Sequence, residues 1–454
     1  MITLYSTDFD RRSGTSLYTQ LYEKIRGEIL SGNAQRGERL PSLRSLAQQT
    51  GLSVTTAGQA YEQLATEGYI YSRPQSGYYV AELPQAAFDP PREEREFVKY
   101  TAPAKTWRVD PEAFDFRGWK RCVDRVYSDY QHLLLTEGDL RGEAALRFEI
   151  AKYVHEARGV QASPEQIVIG SGTQQLTGHL ARMLRQQSLR LISVEDPGYM
   201  PIRRMLQEEG FTLAKIPVTA DGIDPDRLPV NIPSAVYVSP ANQFPTGAVM
   251  PIASRWKLLK WAAENHSLII EDDYNSELRY FGRPIPALQG LDTEGCVIYM
   301  GSFTSTLFPA IRISYMILPP TLMPVFEETR AAYLQTSSRT EQLALALFME
   351  DGSYHKNIRR IRTLYARKLQ QTVQAFQKYG AGKVTPRDTR SGISLLLMEE
   401  PGLDEAAFCK RGMELGIRIA PLEYLGPNGE KHLILNYNQI PIEEIPDAVR
   451  ALCG

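Results

Sequence analysis

Apolar residues recur at two different spacings along the chain, and the change in spacing divides it into two parts. In the first part, Leu17, Leu21 and Ile25 follow one another at the four-residue interval of an amphipathic helix. From about residue 115 onwards, short runs of apolar residues alternate with helical stretches. Strands that are apolar throughout are typical of a parallel sheet covered by helices on both faces. The pattern therefore predicts a small helical unit followed by a larger α/β body.

The small unit has the order of elements expected of a winged helix-turn-helix. Ser42 is placed to cap a second, short helix, and Ser53 follows a tight turn and is placed to cap a third. Residues 68–80 then give a strand, a polar turn and a second strand. Three helices followed by a hairpin predict a module that reads double-stranded DNA.

A stretch rich in proline and charge separates the two parts. It contains Pro90, Pro91 and a run of charged residues at 92–96, and it offers few apolar side chains to bury. It is therefore predicted to be a linker. The expected domains are a DNA-binding domain at 1–81, a linker at 82–111 and a body at 112–454.

Composition and charge narrow the class of protein. Apolar residues make up 43% and charged residues 23% of the chain, as in ordinary soluble globular proteins. No apolar run reaches the roughly 20 residues of a membrane span, and the first residues, with Asp8 and Asp10, are not typical of a signal peptide. The four cysteines lack a metal-ligand spacing. We therefore expect a cytoplasmic protein with reduced thiols, no metal and no membrane partner.

A net charge of −2 gives no overall attraction to nucleic acid, so any DNA contact needs a local basic patch. Residues 40–47 (LPSLRSLA), 51–57 (GLSVTTA) and 73–80 resemble, in this order, three signatures of GntR-type regulators. Val54 stands where that family usually has an arginine. The DNA-binding residues that the resemblance implies are Arg44, Ser53, Thr55, Thr56, Arg73 and Gly77.

The residue types fit these DNA contacts. Arg44 can reach a phosphate or a guanine edge, whereas Ser53 and Thr56 can donate hydrogen bonds to phosphates. The alternative is that Arg44 and Arg73 are surface charges that face solvent only. The local charge of the unit is nearly balanced, so two copies on paired half-sites are expected.

In the body, glycine-rich and polar turns follow several apolar strands. Residues 170–175 (GSGTQQ) follow a strand and open a helix, so their N–H groups and the Thr173 hydroxyl suit a phosphate. Together with 195–199 (EDPGY), 239–247 (SPANQFPTG), 271–277 (EDDYNSE) and 301–312, this turn resembles the cofactor-binding elements of fold-type I pyridoxal 5′-phosphate (PLP) enzymes.

The resemblance implies a role for each matching residue. Arg312 would clamp the phosphate, because its planar fork suits phosphate oxygens. Tyr199 would stack on the pyridine ring, and Asp272 would pair with the ring nitrogen, with Asp273 as the alternative. Asn242 and Tyr274 would approach the phenolic oxygen. The full set of implied cofactor-binding residues is Gly172, Thr173, Gln174, Tyr199, Asn242, Asp272, Tyr274, Ser302, Ser305 and Arg312.

Two positions depart from the enzyme pattern. Ser305 stands where the family has the lysine that forms a Schiff base, and a hydroxyl cannot form an imine. Ile434 stands where catalytic aminotransferases usually have an arginine for the substrate carboxylate. No catalytic residue is therefore assigned, and transaminase activity is not expected.

A winged helix, a linker and an aminotransferase-like body together resemble the MocR subfamily of GntR regulators over essentially the whole chain. The resemblance implies a PLP-dependent transferase fold of type I, with a mostly parallel sheet, helices on both faces and a small C-terminal α+β subdomain. It also implies a transcription regulator that binds operator DNA, senses PLP or a PLP–amino acid adduct, and forms a head-to-tail homodimer.

Several alternatives stay open at this point. The pocket could hold PLP non-covalently or as an external aldimine with an amino acid, or Ser305 could be a deliberate replacement that traps such a complex. The chain could instead be a PLP enzyme with an accessory DNA-binding domain, although Lys257 and Lys260 are predicted on a surface helix. In a further alternative, the winged helix mediates only protein contacts.

Overall fold

The computed structural model describes residues 9–10, 14–83, 111–280, 285–330, 333–387, 392–426 and 429–454. The chain divides into two compact units, Met1–Tyr100 and Thr101–Gly454, and each is described by itself. Most of the predicted linker lies outside the described residues, so the linker and the domain boundaries stay predictions.

The N-terminal unit contains three helices and a two-stranded antiparallel hairpin, as the sequence predicts. Its elements are α1 (Leu17–Leu30), α2 (Leu43–Thr50), α3 (Val54–Thr66), β1 (Ile70–Arg73) and β2 (Gly77–Val80). The helices pack around a core that includes Leu21, Leu46 and Leu64, which are all fully buried. Complete burial of one such side chain contributes about 1.5–3 kcal/mol to folding.

The C-terminal unit is built on an eight-stranded sheet. The strands are β3 (Ile167–Gly170), β4 (Leu191–Asp196), β5 (Thr212–Thr219), β6 (Gly222–Ile223), β7 (Ala235–Val238), β8 (Leu268–Asp272), β9 (Val297–Ser302) and β10 (Ser314–Ile317). Their order is β3-β10-β9-β8-β7-β4-β5-β6. Strands β5, β4, β7, β8 and β9 are parallel, β10 is antiparallel to both neighbours, and β6 is antiparallel to β5.

Helices cover both faces of this sheet, which is why its strands are apolar throughout. Ile169 and Tyr299 pack into a core on one face, whereas their neighbours Val168 and Ile298 pack into a core on the other. The helices are α4 (Phe116–Asp129), α5 (Gln131–Leu134), α6 (Ala144–Arg158), α7 (Thr173–Gln186), α8 (Met200–Glu208), α9 (Ile252–Glu264), α10 (Met323–Arg330) and α11 (Arg339–Glu350).

The last part of the unit forms a smaller four-stranded antiparallel sheet packed with helices. It contains α12 (Ser353–Tyr379), β11 (Val384–Arg387), β12 (Leu395–Glu399), α13 (Glu405–Glu414), β13 (Ile419–Leu425), β14 (Lys431–Leu435) and α14 (Ile445–Cys453), with strand order β11-β12-β14-β13. Leu395, Leu435 and Ile419 are buried under the helices. Within the described ranges, no helix has the length and apolar character needed to cross a membrane.

Candidate cofactor cleft and DNA-binding surface

The turn after β3 and the loop after β9 lie close together, at the end of the large sheet where β3 and β9 end and β10 begins. Ser314 is paired with Gly170 on one side and with Ser302 on the other. A β-carbon built on Gly172 would lie 2.3 Å from Nη2 of Arg312 and would displace the guanidinium, and the φ of +104° at this position favours glycine. The Arg312 guanidinium therefore lies at the start of α7. Because a helix N-terminus and an arginine both favour anions, this arrangement fits a phosphate.

Side-chain hydrogen bonds shape the turn and the loop beside this position. The Ser302 hydroxyl accepts a hydrogen bond from Ser314 Oγ (2.9 Å) and donates one to Thr304 Oγ1 (3.1 Å). Gln175 Oε1 accepts a hydrogen bond from the backbone N–H of Ser171 (2.6 Å). Gln174, which the sequence predicted as a cofactor residue, is exposed. No role for Gln175 is predicted from the sequence. Its side-chain oxygen accepts from an N–H four residues earlier in the chain.

The structure distinguishes the two aspartates that follow β8. Asp273 forms a bidentate ion pair with Arg158, at 2.7 and 2.9 Å, and also accepts a hydrogen bond from Tyr299. Both members of the pair are almost completely buried, so removing one would leave an uncompensated charge. Asp273 is thus held in a buried ion pair. Asp272 accepts a hydrogen bond from Tyr237, and burial raises the pKa of its carboxyl to about 6.

Tyr274 connects the β8 loop to position 305. Its hydroxyl lies within hydrogen-bonding reach of Ser305, and burial raises the pKa of Tyr274 to about 12. The Asn242 amide donates a hydrogen bond to the backbone carbonyl of Tyr274 (3.5 Å). Asn242, Tyr274 and Ser305, three of the sequence-predicted residues, are therefore close together.

Tyr199 lies within electrostatic reach of both the aspartate and the phosphate-site arginine. Burial raises the pKa of Tyr199, Asp272 raises it further, and the cations Arg418 and Arg312 lower it. The ring is 45% exposed and stands edge-on to Phe244, with 6.1 Å between ring centroids. One face of Tyr199 is thus available for stacking beside Asp272. No local sequence motif indicates Arg418.

The loop that contains Asn242 is tied to the turn before Tyr199. The Gln243 amide donates hydrogen bonds to the Pro197 carbonyl (2.9 Å) and to Glu195 (3.3 Å). Glu195 also accepts a hydrogen bond from the backbone N–H of Ser239 (3.1 Å), and burial raises its pKa to about 7. These contacts hold the two loops together, and the sequence analysis gave Gln243 no such role.

A cleft lies between the loop at Asn242 and the smaller sheet. Tyr274 and Asn242 line one side, and Ser394 and Ile434 line the other. Ile434 thus contributes an apolar side chain to the wall of this cleft.

Two lysines that could supply an amine are engaged elsewhere. Lys257 and Lys260 are exposed on α9 and pair with Asp226 (2.8 Å) and Glu264 (3.7 Å), respectively. Their predicted location on a surface helix is confirmed. Neither is a substitute for a lysine at position 305.

In the N-terminal unit, the predicted cap residues organise the start of α3. Ser53 Oγ accepts a hydrogen bond from the Thr56 backbone N–H (3.0 Å), and the two hydroxyls also hydrogen-bond with each other (2.8 Å). One hydroxyl proton of the pair is therefore used internally. Val54 and Thr55 are exposed beside this cap, as is Arg44 on α2.

In the hairpin, the Arg73 side chain lies over two aromatic rings. The guanidinium lies 5.4 Å from the Tyr71 ring centroid and 4.8 Å from that of Tyr79, and it donates a hydrogen bond to the Tyr71 hydroxyl (3.0 Å). Gly77, at the start of β2, has φ +102° and lies near Arg39. The sequence analysis missed both tyrosines, although the two-residue spacing of Tyr71 and Arg73 places them on one face of the strand.

Among the residues that the structure describes, no group of three or more His, Cys, Asp or Glu side chains could hold a metal ion. Cys122, Cys296 and Cys453 are buried, and Cys409 is half-buried; all four thiols are free.

Comparison with known proteins identifies both units. The model for bacterial regulatory proteins of the gntR family matches residues 17–80, and the model for aminotransferase class I and II matches residues 130–426. Among solved structures, a multiple substrate aminotransferase from Thermococcus profundus aligns with TM-score 0.66 and 25% identity, covering 82% of this chain and 94% of that one. The fold is thus that of a fold-type I transferase joined to a winged helix-turn-helix, as the sequence predicted.

Whole-length relatives define the class more closely. The HTH-type transcriptional regulator YdeL of Bacillus subtilis is 37% identical, over 96% of both chains. The probable rhizopine catabolism regulatory protein MocR of Rhizobium meliloti is 32% identical, over 98% of this chain and 94% of that one. The pyridoxine biosynthesis regulator PdxR of Corynebacterium glutamicum is 32% identical over 77% of each. The chain is an HTH-type transcriptional regulator with an aminotransferase-like body, and it belongs to the MocR subfamily of GntR regulators.

Proposed function

We propose that the aminotransferase-like body binds PLP, or a PLP–amino acid adduct, without a covalent link to position 305, and that this occupancy controls DNA binding by the winged helix. The observation that supports this most is the close approach of Gly172 and Arg312 at the start of α7. The missing side chain at Gly172 leaves room beside the guanidinium, which supports a phosphate at this place.

The other residues of the cleft fit the rest of such a ligand. Asp272 would hold a proton on the pyridine nitrogen through charge pairing, and Tyr199 would stack on the ring. Asn242 and Tyr274 would hydrogen-bond the phenolic oxygen. When bound, the cofactor would supply an aldehyde that reacts with free amines. Ser305 keeps the protein's own side chain out of that reaction, because a hydroxyl forms no imine.

Binding is tested by titrating the full chain with PLP and following absorbance and the melting temperature. A ligand that binds only the folded state stabilises it, by about 2.7 kcal/mol at a hundredfold excess over Kd. Arg312→Gln should weaken binding by about 1.5–3 kcal/mol for each charged hydrogen bond lost. Arg411→Gln, an exposed arginine on α13, is the matched control. An unchanged melting temperature at saturating PLP would contradict the proposal.

Control of DNA binding requires that the ligand favours one arrangement of the regulator over another. We expect a head-to-tail homodimer in which ligand binding closes the cleft and the segment at 82–111 changes the spacing of two DNA-binding units. Small-angle scattering of the DNA complex should differ with and without PLP. Identical profiles would rule out this coupling, while light scattering at the monomer mass would rule out the dimer.

A further inference from the structure

The cleft wall formed by the smaller sheet poses a problem for any ligand that contains an amino acid. Such a ligand carries a carboxylate, and Ile434, on that wall, offers no charge to meet it. A carboxylate that leaves water without a cationic or hydrogen-bonding partner is strongly disfavoured. If the proposed function holds, a cation must reach the cleft from another position.

The register of β13 and β14 identifies a nearby candidate. Ala420 is paired with Ile434, and Ile419 is paired with Leu435. One pair further along, the backbone N–H of Asn436 donates to the Arg418 carbonyl (3.0 Å). Arg418 therefore lies two residues before Ala420, where the chain enters β13.

Alternation along the strands assigns the Arg418 side chain to a face. Ile419, Leu435 and Leu395 point into the core under the helices and are buried. Their immediate neighbours point the opposite way, and among these Ile434 and Ser394 line the cleft. Arg418 shares this face, and its side chain is exposed.

Contacts across the cleft face agree with this position. Ser394 Oγ donates a hydrogen bond to the Asn436 side chain (2.7 Å), which places Asn436, the cross-strand neighbour of Arg418, beside a cleft-lining residue. Tyr199 stands edge-on to the cleft-lining Phe244 and experiences the charges of both Arg418 and Arg312, which act to lower the pKa of its hydroxyl. The two arginines therefore lie within electrostatic reach of the same ring.

We propose that Arg418 binds the carboxylate of the amino acid part of the ligand, in place of the cation that position 434 lacks. Its planar fork can form two parallel hydrogen bonds to a carboxylate. The ligand class that follows is an adduct of PLP with an amino acid, in preference to PLP alone or an adduct with a simple amine. This inference rests on the proposed function, because it concerns the same cleft.

Two stable probes test the assignment by calorimetry on the full chain. N-phosphopyridoxyl-L-alanine carries the carboxylate, and N-phosphopyridoxyl-ethylamine is the same molecule without it. The wild-type chain should prefer the first by about 10- to 100-fold, the range expected for hydrogen bonds between charged groups. Arg418→Gln should abolish this preference while leaving the affinity for the ethylamine probe unchanged. Arg418→Lys should restore part of it, and the control Arg411→Gln should keep all of it.

Each other outcome has a distinct meaning. If the wild-type chain binds neither probe, the proposed function itself fails. Equal affinity of the wild-type chain for both probes overturns the role of Arg418 and leaves cofactor binding intact. If Arg418→Gln weakens both probes equally and lowers the melting temperature, Arg418 has a structural role and the assignment is wrong.

Discussion

The two ends of the proposed cofactor site differ in how closely they follow the aminotransferase pattern. At one end, Gly172 and Arg312 lie in the close contact that a phosphate site needs, at the start of a helix. At the other end, Ser305 and Ile434 stand where the resemblance to aminotransferases predicts a lysine and an arginine. Binding and catalysis thus depend on separable groups. If the proposed function holds, this difference suits a body that recognises a small molecule without transforming it.

The largest expected effect comes from filling the space at the phosphate end. Gly172→Ala adds a β-carbon 2.3 Å from the Arg312 guanidinium at a position with φ +104°, so we expect affinity for PLP to fall by about 100-fold through loss of charged hydrogen bonds. Fluorescence titration measures this. Gly210→Ala is the matched control, because Gly210 has φ +85° but no neighbour within 4 Å. Equal losses in both variants would point to backbone strain alone.

Restoring an amine at the other end should bring back a covalent link. In Ser305→Lys, the new side chain would extend from the position within reach of the Tyr274 hydroxyl, where the cofactor aldehyde is proposed to lie. Borohydride treatment followed by mass spectrometry should then detect the cofactor attached to the chain. Ser305→Ala, which has no amine, should give no attachment. A Ser305→Lys chain that stays unmodified would mean that position 305 does not face the cofactor.

The charge of Asp272 should make cofactor binding depend on pH. Because burial raises the pKa of this carboxyl to about 6, the carboxylate that pairs with a protonated pyridine is lost as the pH falls from 7.5 to 5.5. PLP affinity of the wild-type chain should therefore decrease over this range more than that of Asp272→Asn. The comparison removes the titration of the phosphate, which is common to both proteins. Parallel pH profiles would exclude a role for Asp272.

The charge of Asp272 should favour PLP binding but destabilise the ligand-free protein. The folded pKa of this carboxyl lies above the ordinary aspartate value of about 3.9, so its ionisation destabilises the fold as pH rises from the unfolded pKa through the folded one. Asp272→Asn keeps an acceptor for Tyr237 and removes this charge. It should therefore raise the melting temperature at pH 7.5 while weakening PLP binding. A lower melting temperature would contradict this assignment of the charge.

The smallest expected effect concerns the hairpin of the N-terminal unit. Arg73→Gln should weaken operator binding by a few-fold and reduce the salt dependence of binding by about one ion, as expected for one phosphate contact. Tyr71 and Tyr79 hold Arg73 in position, so Tyr79→Leu should have part of the same effect. Arg36→Gln removes the same charge from an arginine paired with Glu82 and serves as the control. An unchanged salt slope would leave Arg73 as a solvent-facing charge.

Short-range features of the molecule could be predicted from the sequence. Ser42 and Ser53 cap their helices as expected, because capping depends on residues within three positions. The alternation of apolar strands and helices likewise predicted the sheet of the body, since both faces of its strands are buried.

Features that depend on distant partners could not be predicted in this way. The choice between Asp272 and Asp273 depends on Arg158, which lies 115 positions earlier in the chain. The location of Arg418 depends on the register of β13 against β14, and a shift of one residue would turn its side chain to the other face. No local pattern reports either fact.

The hydroxyl at position 305 affects the rate of ligand release as well as the chemistry. A ligand held only by hydrogen bonds, charge and stacking leaves at a rate set by those contacts, so the occupied fraction follows the free concentration around the protein. A lysine there would add a bond that must be broken by hydrolysis or exchange before release. With serine, the occupancy of such a regulator would follow the current concentration of its ligand and would not depend on earlier concentrations.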